Sequence, residues 1–430
     1  MGVTSFTEFL ALPFRDSPFT SLRAEHYAMA ESLRSVFERM LPQRPPGDTQ
    51  YVPEVVVVIL AAARSAGASD VHLIPSETGL GMSWRVDGVL QEVWTFPVEL
   101  VPRIVARLKV LSELLTYQTE VPQEGRIREP GLAIEMRVST FPTLFGEKVV
   151  VRLLAESQQL HQLSGLGLGS DVAARLAQLV QATNGTLIVA GPAGSGKTTT
   201  LYACLREIVD KTQGQRSLVS LEDPIEAVIP GVSQSQINLA AGFDLPTGLR
   251  SLMRQDPEVI MVGEIRDRVT AEIVFQAALT GHLVLTTFHA GSAAGVISRL
   301  SEMEIEPYLL RSGILAVVCQ RLVRKLCTCS RPGTDDADKL GLPVETFRVA
   351  VGCEHCHGTG YLGRIVLSEF LSPDQSEVGR AILSRNDTSQ LEALAQQAGM
   401  VTRWQRAAVA IHAGLTSPVE IRRVLGLSSV

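Results

Sequence analysis

The chain carries two kinds of hydrophobic patterning, one after the other. Between about residues 51 and 155, a mostly apolar helical run (YVPEVVVVILAAARS) is followed by short runs of alternating apolar and polar residues: VHLIP, MSWRVDG, IEMRVST and KVVVRLL. Alternation of period two predicts half-buried strands, so this stretch reads as an α+β domain. From residue 171 the pattern changes to strand–loop–helix units. TLIVAG, SLVSLED, VIMVGE and LVLTTFH are continuous apolar runs, each ending in a Gly or polar residue. Runs of that kind suit a mostly parallel sheet buried on both faces, whose functional groups gather at the carboxyl ends of the strands. Residues 375–430 read as helical. Helical stretches such as 22–41 precede the first domain, Pro42–Gln50 (PQRPPGDTQ) reads as a linker, and 156–170 as a hinge. The expected division is 1–50, 51–155, 156–170 and 171–430.

Composition narrows the function classes. A chain of 430 residues, 45% hydrophobic and 20% charged, has material for two or three globular domains. A net charge of −6 leaves no broad basic field, which argues against nucleic acid as the main ligand. The strongest apolar run, Val55–Ala63, is about half the ~20 residues that a bilayer crossing needs. The amino terminus (MGVTSFTEFL) has no basic n-region of a signal peptide. These features predict a cytosolic protein, where a cysteine cluster points to metal or catalysis rather than disulfides.

The strand at 186–190 runs into GPAGSGKT, and a helical pattern (TTTLYACL) follows. This is the G-x-x-x-x-G-K-[ST] phosphate loop in its strand–loop–helix context. Gly191, Gly194 and Gly196 let backbone N–H groups curl around phosphate oxygens, together with Pro192, Ala193, Ser195 and Thr199 of the same loop. Lys197 has the reach for the β- and γ-phosphates and Thr198 the hydroxyl for Mg²⁺, so the expected ligands are ATP and Mg²⁺. Acidic strand ends follow. VIMVGEIRD delivers Glu264 toward the metal. LEDPIE carries Glu222, Asp223 and Glu226, candidates for orienting water and for the Mg²⁺ shell. TGHLVLTTFHAGSA places His282 before one strand and His289 after it, both candidates for contact with the γ-phosphate.

Six cysteines are present. Cys204 and Cys319 lie in apolar stretches and read as core thiols. Cys327-x-Cys329 and Cys353-x-x-Cys356 supply the four thiolates of a closed tetrahedral Zn²⁺ site. The one-residue spacer of the first pair is short, which leaves His355 or His357 as a substitute ligand; a metal-free loop and a redox pair are the alternatives.

In this order the motifs resemble the secretion ATPases that power type II secretion and type IV pilus assembly. GPAGSGKTTTL is similar to their Walker A box, LEDPIE to their aspartate box, LRSLMRQDPEVIMVGEIRD to their Walker B box and TGHLVLTTFHAGSA to their histidine box. CQRLVRKLC and GCEHCHGTGYLGR also match. ASDVHLIP, WRVDGVL, VPQEGRI and MRVSTFPTLFGEKVVVRLL resemble the family's N-terminal domain. The resemblance covers roughly residues 51–425. It implies an α/β fold with a two-domain protomer: an α+β N-terminal domain and a RecA-like P-loop ATPase domain, with a small Cys-rich metal-binding insert at 327–357. It further implies a homo-hexameric ring at the cytoplasmic face of the inner membrane, working with a membrane platform protein and pilin or pseudopilin machinery. Nucleotide would lie between the domains, within reach of Arg126, Arg137 and Arg152. Glu226 would position water, with Glu222 its competitor, and Glu264 would act through Mg²⁺. FHAGSA departs from the family's usual Leu-His-Thr-Asn, which puts any contact by the missing Asn in doubt. The insert favours assembly or secretion over retraction. A DNA- or RNA-dependent motor and a non-hydrolysing ring subunit are the competing readings.

Overall fold

The structure is a computed structural model, and it describes residues 32–128, 135–153, 162–373 and 376–427. The expected helix at 22–41 lies mostly outside these residues; its described part is α1 (Leu33–Met40), capped by the Ser32 hydroxyl. Turns over 41–50 lead to α2 (Tyr51–Ser65), with Glu54 in its first turn. The first sheet then assembles from β1 (Ala68–Ser76), β2 (Gly79–Val86), β3 (Val89–Phe96), β4 (Gln123–Arg128), β5 (Glu135–Thr143) and β6 (Gly146–Leu153). Helix α3 (Val101–Leu111) lies between β3 and β4. Strand order is β3-β2-β1-β6-β5-β4, and every neighbouring pair is antiparallel. Asp87 and Gly88 turn the β2–β3 hairpin with φ of 48° and 82°, the left-handed geometry that a tight Asp-Gly hairpin turn requires.

The alternation in these strands has the expected consequence. Ile127, Met136, Val138, Val151 and Leu153 are buried with Trp84, Phe96, Ile104 and Phe37 under the three helices. Arg126, Arg137 and Arg152 occupy the intervening positions, on the opposite face. Register then aligns them: Arg126 pairs with Arg137, Arg137 with Arg152, and Arg152 with Asp70. Three arginines thus stand in a row across β4, β5 and β6.

The second unit begins with α4 (Ser170–Leu179), β7 (Gly185–Ala190) and α5 (Lys197–Thr212). It continues through β8 (Leu218–Glu222), β9 (Ser233–Gln236), α6 (Leu245–Leu252), β10 (Val259–Val262), α7 (Arg268–Leu279) and β11 (Leu283–Phe288). Helices α8 (Ala293–Glu302) and α9 (Pro307–Gly313) lead to β12 (Ile314–Leu326), two short strands β13 (Arg331–Pro332) and β14 (Arg348–Val349), and β15 (Tyr361–Leu371). Helices α10 (Ser376–Leu383), α11 (Thr388–Gln397), α12 (Arg403–His412) and α13 (Pro418–Leu425) finish it. The sheet order is β15-β12-β7-β11-β10-β8-β9. It is parallel from β12 to β9, with β15 antiparallel at one edge. Every residue of β7, β8, β10 and β11 is buried. Ile188, Val262, Val284 and Phe275 fill one face; Leu187, Val189, Leu201 and Leu285 fill the other. Parallel strands covered on both faces put the ends of β7, β8, β10 and β11 along one rim, where the acidic and phosphate-loop residues emerge. Among the described residues, no helix is long and apolar enough to cross a membrane.

Candidate nucleotide site and thiol centre

The loop after β7 owes its shape to its glycines. Gly191 has φ 150°, and a Cβ there would collide with the Ser195 hydroxyl and the Gln320 carbonyl. Gly194 (φ 72°) and Gly196 (φ 87°) take the left-handed turn that starts α5 at Lys197. The helix N-terminus therefore points its free N–H groups into the loop. Lys197 Nζ donates to the carbonyls of Gly191 and Pro192, each at 3.0 Å. Burial lowers its pKa, and the nearby Arg321 adds to the effect, so the ammonium has a standing preference for an anionic partner. Gln320 on β12 braces the loop from below: its Nε2 donates to Ser195 O at 2.8 Å, and its Oε1 accepts from Thr200 Oγ1 at 3.1 Å. Arg321 donates to Gly291 O at 2.9 Å, which fixes the Ala290–Gly291–Ser292 turn. The Ser292 hydroxyl then caps α8, accepting from Gly295 N at 3.1 Å. Within CQRLVRKLC nothing marks Gln320 and Arg321 for these roles, because a brace across strands has no signature in spacing.

At the strand ends, Glu264 Oε2 lies 3.2 Å from His289 Nε2, and Arg266 pairs with the other Glu264 oxygen. Arg266 also reaches Asp223 Oδ2 at 3.3 Å. Glu264, Asp223 and His289 thus share one corner with the phosphate loop. Loss of hydration lowers the His289 pKa, and Lys197, Arg266 and Arg299 push it further the same way. The ring is neutral near pH 7 and sits beside the Glu264 carboxylate. His282 is not at this corner. It sits at the amino end of β11, with Nδ1 2.9 Å from Ala277 O. A strand of this length separates it from His289 by about 23 Å, at about 3.3 Å per residue. Within this chain His289 alone of the two stands at the phosphate corner.

Glu222 and Glu226 have different surroundings. Glu222 is buried at the end of β8; it accepts from the Tyr202 hydroxyl, from Ser220 Oγ at 2.5 Å and from Gln234 Nε2 at 3.0 Å. Both its oxygens are taken, so the expectation that it competes for water is corrected. Glu226 instead lies beyond the end of β8, where Thr198 of the phosphate loop is among the groups that favour its charged form. Lost hydration raises its pKa above the ordinary carboxylate range. Arg137 pulls against this, Glu222 adds to it, and Arg152 and Thr198 pull against it. Arg137 and Arg152 come from the first sheet, so the two units meet at this carboxylate. The Arg137 Nε is buried and has no hydrogen-bond partner among the described residues, a guanidinium edge suited to an added anion. Arg152 is held at Asp70 Oδ1 (3.1 Å). Arg126 extends the row one strand further, exposed. With Ser195 Oγ also buried and unpartnered, the donor set fits a nucleotide polyphosphate. Gly191–Thr199 would hold the phosphates, and Thr198, Asp223 and Glu264 the Mg²⁺.

The four clustered thiols converge. Their Sγ atoms all lie within 4.8 Å of one another: Cys327–Cys353 at 3.8 Å, Cys329–Cys356 at 3.9 Å and Cys353–Cys356 at 3.7 Å. Zn–S bonds of about 2.3 Å arranged tetrahedrally place sulfurs about 3.8 Å apart. Cys356 Sγ also accepts from the N–H groups of Cys353 and Gly360, each at 3.2 Å, as a thiolate ligand would. The cluster fits Zn²⁺, and neither His355 nor His357 belongs to it. Cys204 and Cys319 are buried core thiols, and burial pushes each up to about 12.

A family described as type II/IV secretion system protein matches residues 47–423. The type II secretion system protein E of Pectobacterium carotovorum is 40% identical over 384 residues, 88% of this chain and 76% of that protein. That of Pseudomonas aeruginosa is 44% identical over 333 residues, 75% of this chain and 66% of its own length. The type IV pilus assembly ATPase TfpB of Acinetobacter baylyi is 37% identical over 398 residues, 90% and 67% respectively. Among solved structures, the Legionella pneumophila ATPase DotB superposes with a TM-score of 0.66 at 21% identity, over 89% of this chain and 97% of that one. The pilus retraction motor PilT with bound ADP gives 0.52 at 21% identity, over 81% and 95%. These two similarities concern the fold alone.

Proposed function

The chain belongs to the type II/IV secretion system protein family, and from that premise we propose that it is an ATP-hydrolysing motor for pilin or pseudopilin assembly or type II secretion. It works as a homo-hexamer on a platform protein at the cytoplasmic face of the inner membrane. The observation that carries the reading is Glu226, a carboxylate within the electrostatic reach of Thr198 of the phosphate loop and of Arg137 and Arg152 of the other sheet. Bound ATP supplies the transferable phosphoryl group, with Mg²⁺ screening its charge. Lys197 turns from the Gly191 and Pro192 carbonyls to the phosphates. Thr198, Asp223 and Glu264 would hold the Mg²⁺, and His289 lies beside Glu264. Glu226 orients and deprotonates the attacking water. Arg137 and Arg152 stabilise charge on the transferring group. Because they sit on a separate sheet, their approach and withdrawal converts turnover into relative movement of the two units. The Cys327, Cys329, Cys353 and Cys356 centre holds Zn²⁺ in a structural role. The insert it closes fits assembly or secretion better than retraction.

The test is phosphate release by the assembled full chain together with its membrane platform partner. Wild type should turn over ATP, and Glu264→Gln should bind nucleotide with turnover reduced at least ~100-fold. No turnover by the wild-type assembly would contradict the motor reading.

A further inference from the structure

Tyr202 lies on α5, five residues beyond Lys197, with its ring buried. Its hydroxyl donates to Glu222 and accepts from Glu226 N–H at 3.1 Å. Glu222 is the buried acceptor that fixes the direction of the O–H. Ser220 and Gln234 hold Glu222 from its other oxygen. Gln234 ties the same loop further on, accepting from Ile229 N at 2.7 Å and donating to Ala227 O at 3.0 Å. The loop carrying Glu226 therefore has its N–H groups at 226 and 229 and its carbonyl at 227 anchored to one buried polar cluster. The only member of that cluster on the phosphate-loop helix is Tyr202.

We infer that Tyr202 is a positioning residue for hydrolysis. Its hydroxyl, aimed by Glu222, fixes the Glu226 loop against the helix whose N-terminus binds the phosphates. This rests on the reading that Glu226 orients water. Burial and the adjacent Glu222 push the Tyr202 pKa up, so the hydroxyl keeps its proton throughout the working pH range. Linked donors of this kind strengthen one another in a low-dielectric interior. Without the hydroxyl, the carboxylate drifts relative to the phosphates. A displacement of about 1 Å in a reacting group costs up to ~100-fold in rate. Phosphate binding itself uses the loop N–H groups and Lys197, which Tyr202 does not touch.

The experiment compares wild type, Tyr202→Phe, Glu226→Gln and the double variant as assembled full-length protein. It reads kcat and KM for ATP by phosphate release, affinity with a fluorescent ATP analogue, and thermal melting. Tyr202→Phe should lower kcat about 10- to 100-fold, with KM and analogue affinity within twofold of wild type. In the Glu226→Gln background it should lower kcat no further. A shift in melting temperature with kcat unchanged would overturn the inference and leave Tyr202 a packing residue. An equal fold-loss in both backgrounds would overturn it as well. Should Tyr202→Phe not fold, Gln234→Ala unties the same loop from a half-buried position, and wild-type kcat there overturns the inference. Glu226→Gln at wild-type rate removes the water-orienting reading itself, an outcome separate from loss of the Tyr202 effect alone.

Discussion

Replacing Cys353 with Ser should empty the thiol centre of metal and loosen the segment it closes. The geometry sets the size of the effect. Three S···S distances of 3.7–3.9 Å match the ~3.8 Å edge of a zinc tetrathiolate, so binding needs little rearrangement. Structural zinc sites of this type bind with about 10–16 kcal/mol at neutral pH, equivalent to Kd between about 10⁻⁷ and 10⁻¹² M. Such a site retains its ion through purification. The 333–347 stretch contributes only Leu342, Val344 and Phe347 to a buried cluster, so most of its order depends on the crosslink at its two ends. Elemental analysis should find one zinc per wild-type chain, and cobalt substitution should give the absorption of a tetrahedral thiolate complex. Cys353→Ser should lose the metal and become sensitive to proteolysis between 333 and 352. Cys204→Ala, which changes a core thiol away from the cluster, should retain it. Wild type purified with supplied zinc yet holding less than a tenth of an equivalent would refute the reasoning, as would full zinc in Cys353→Ser.

Arg137→Ala removes the strongest positive pull on Glu226. Its carboxyl pKa, already raised, should rise further, so the acid limb of the kcat/KM–pH profile moves to higher pH; a stationary limb counts against the assignment. His282→Ala should leave intrinsic ATP turnover of the chain within threefold of wild type, since His282 sits about 23 Å of strand away from the phosphate corner; a 100-fold loss would place it there through a neighbouring copy. Glu420→Gln should destabilise the second unit by about 3–5 kcal/mol, because the fully buried carboxylate accepts from Arg324 and Arg423 at 2.6–2.9 Å, and a lower melting temperature checks this. Burial raises the Glu420 pKa, but those hydrogen bonds outweigh it and hold the pKa below 4.5. Its contribution is therefore present above pH 4.5 and is lost as pH falls through the lower folded value.

Contiguous features were legible in the sequence. The phosphate loop could be read because its glycines, lysine and threonine act within one turn of chain. The buried strands could be read because both their faces are apolar. Two choices within the site could be narrowed from local sequence. Ser220 and Glu222 are two apart on a buried strand and share a face, which marks Glu222 as an internal acceptor rather than a water-facing base. His282 and His289 bracket a six-residue strand, and strand rise alone separates them. Other features were beyond any local pattern. The row of Arg126, Arg137 and Arg152 exists only once β4, β5 and β6 are in register, so only family resemblance pointed to it. The Gln320 brace depends on β12 lying beside β7. The short Cys-x-Cys spacing left the ligand set open, and the fold closes it by bringing Cys353 and Cys356 across from the start of β15.

ATP turnover by Glu226→Gln and Glu222→Gln, measured side by side at saturating nucleotide in the assembled protein, tests the centre of the account most directly. Glu226→Gln should retain nucleotide affinity and lose ~100- to 10,000-fold in kcat. Glu222→Gln, whose amide oxygen still accepts from Tyr202, should lose far less. The reverse ranking, with Glu222→Gln inactive and Glu226→Gln near wild type, would contradict it.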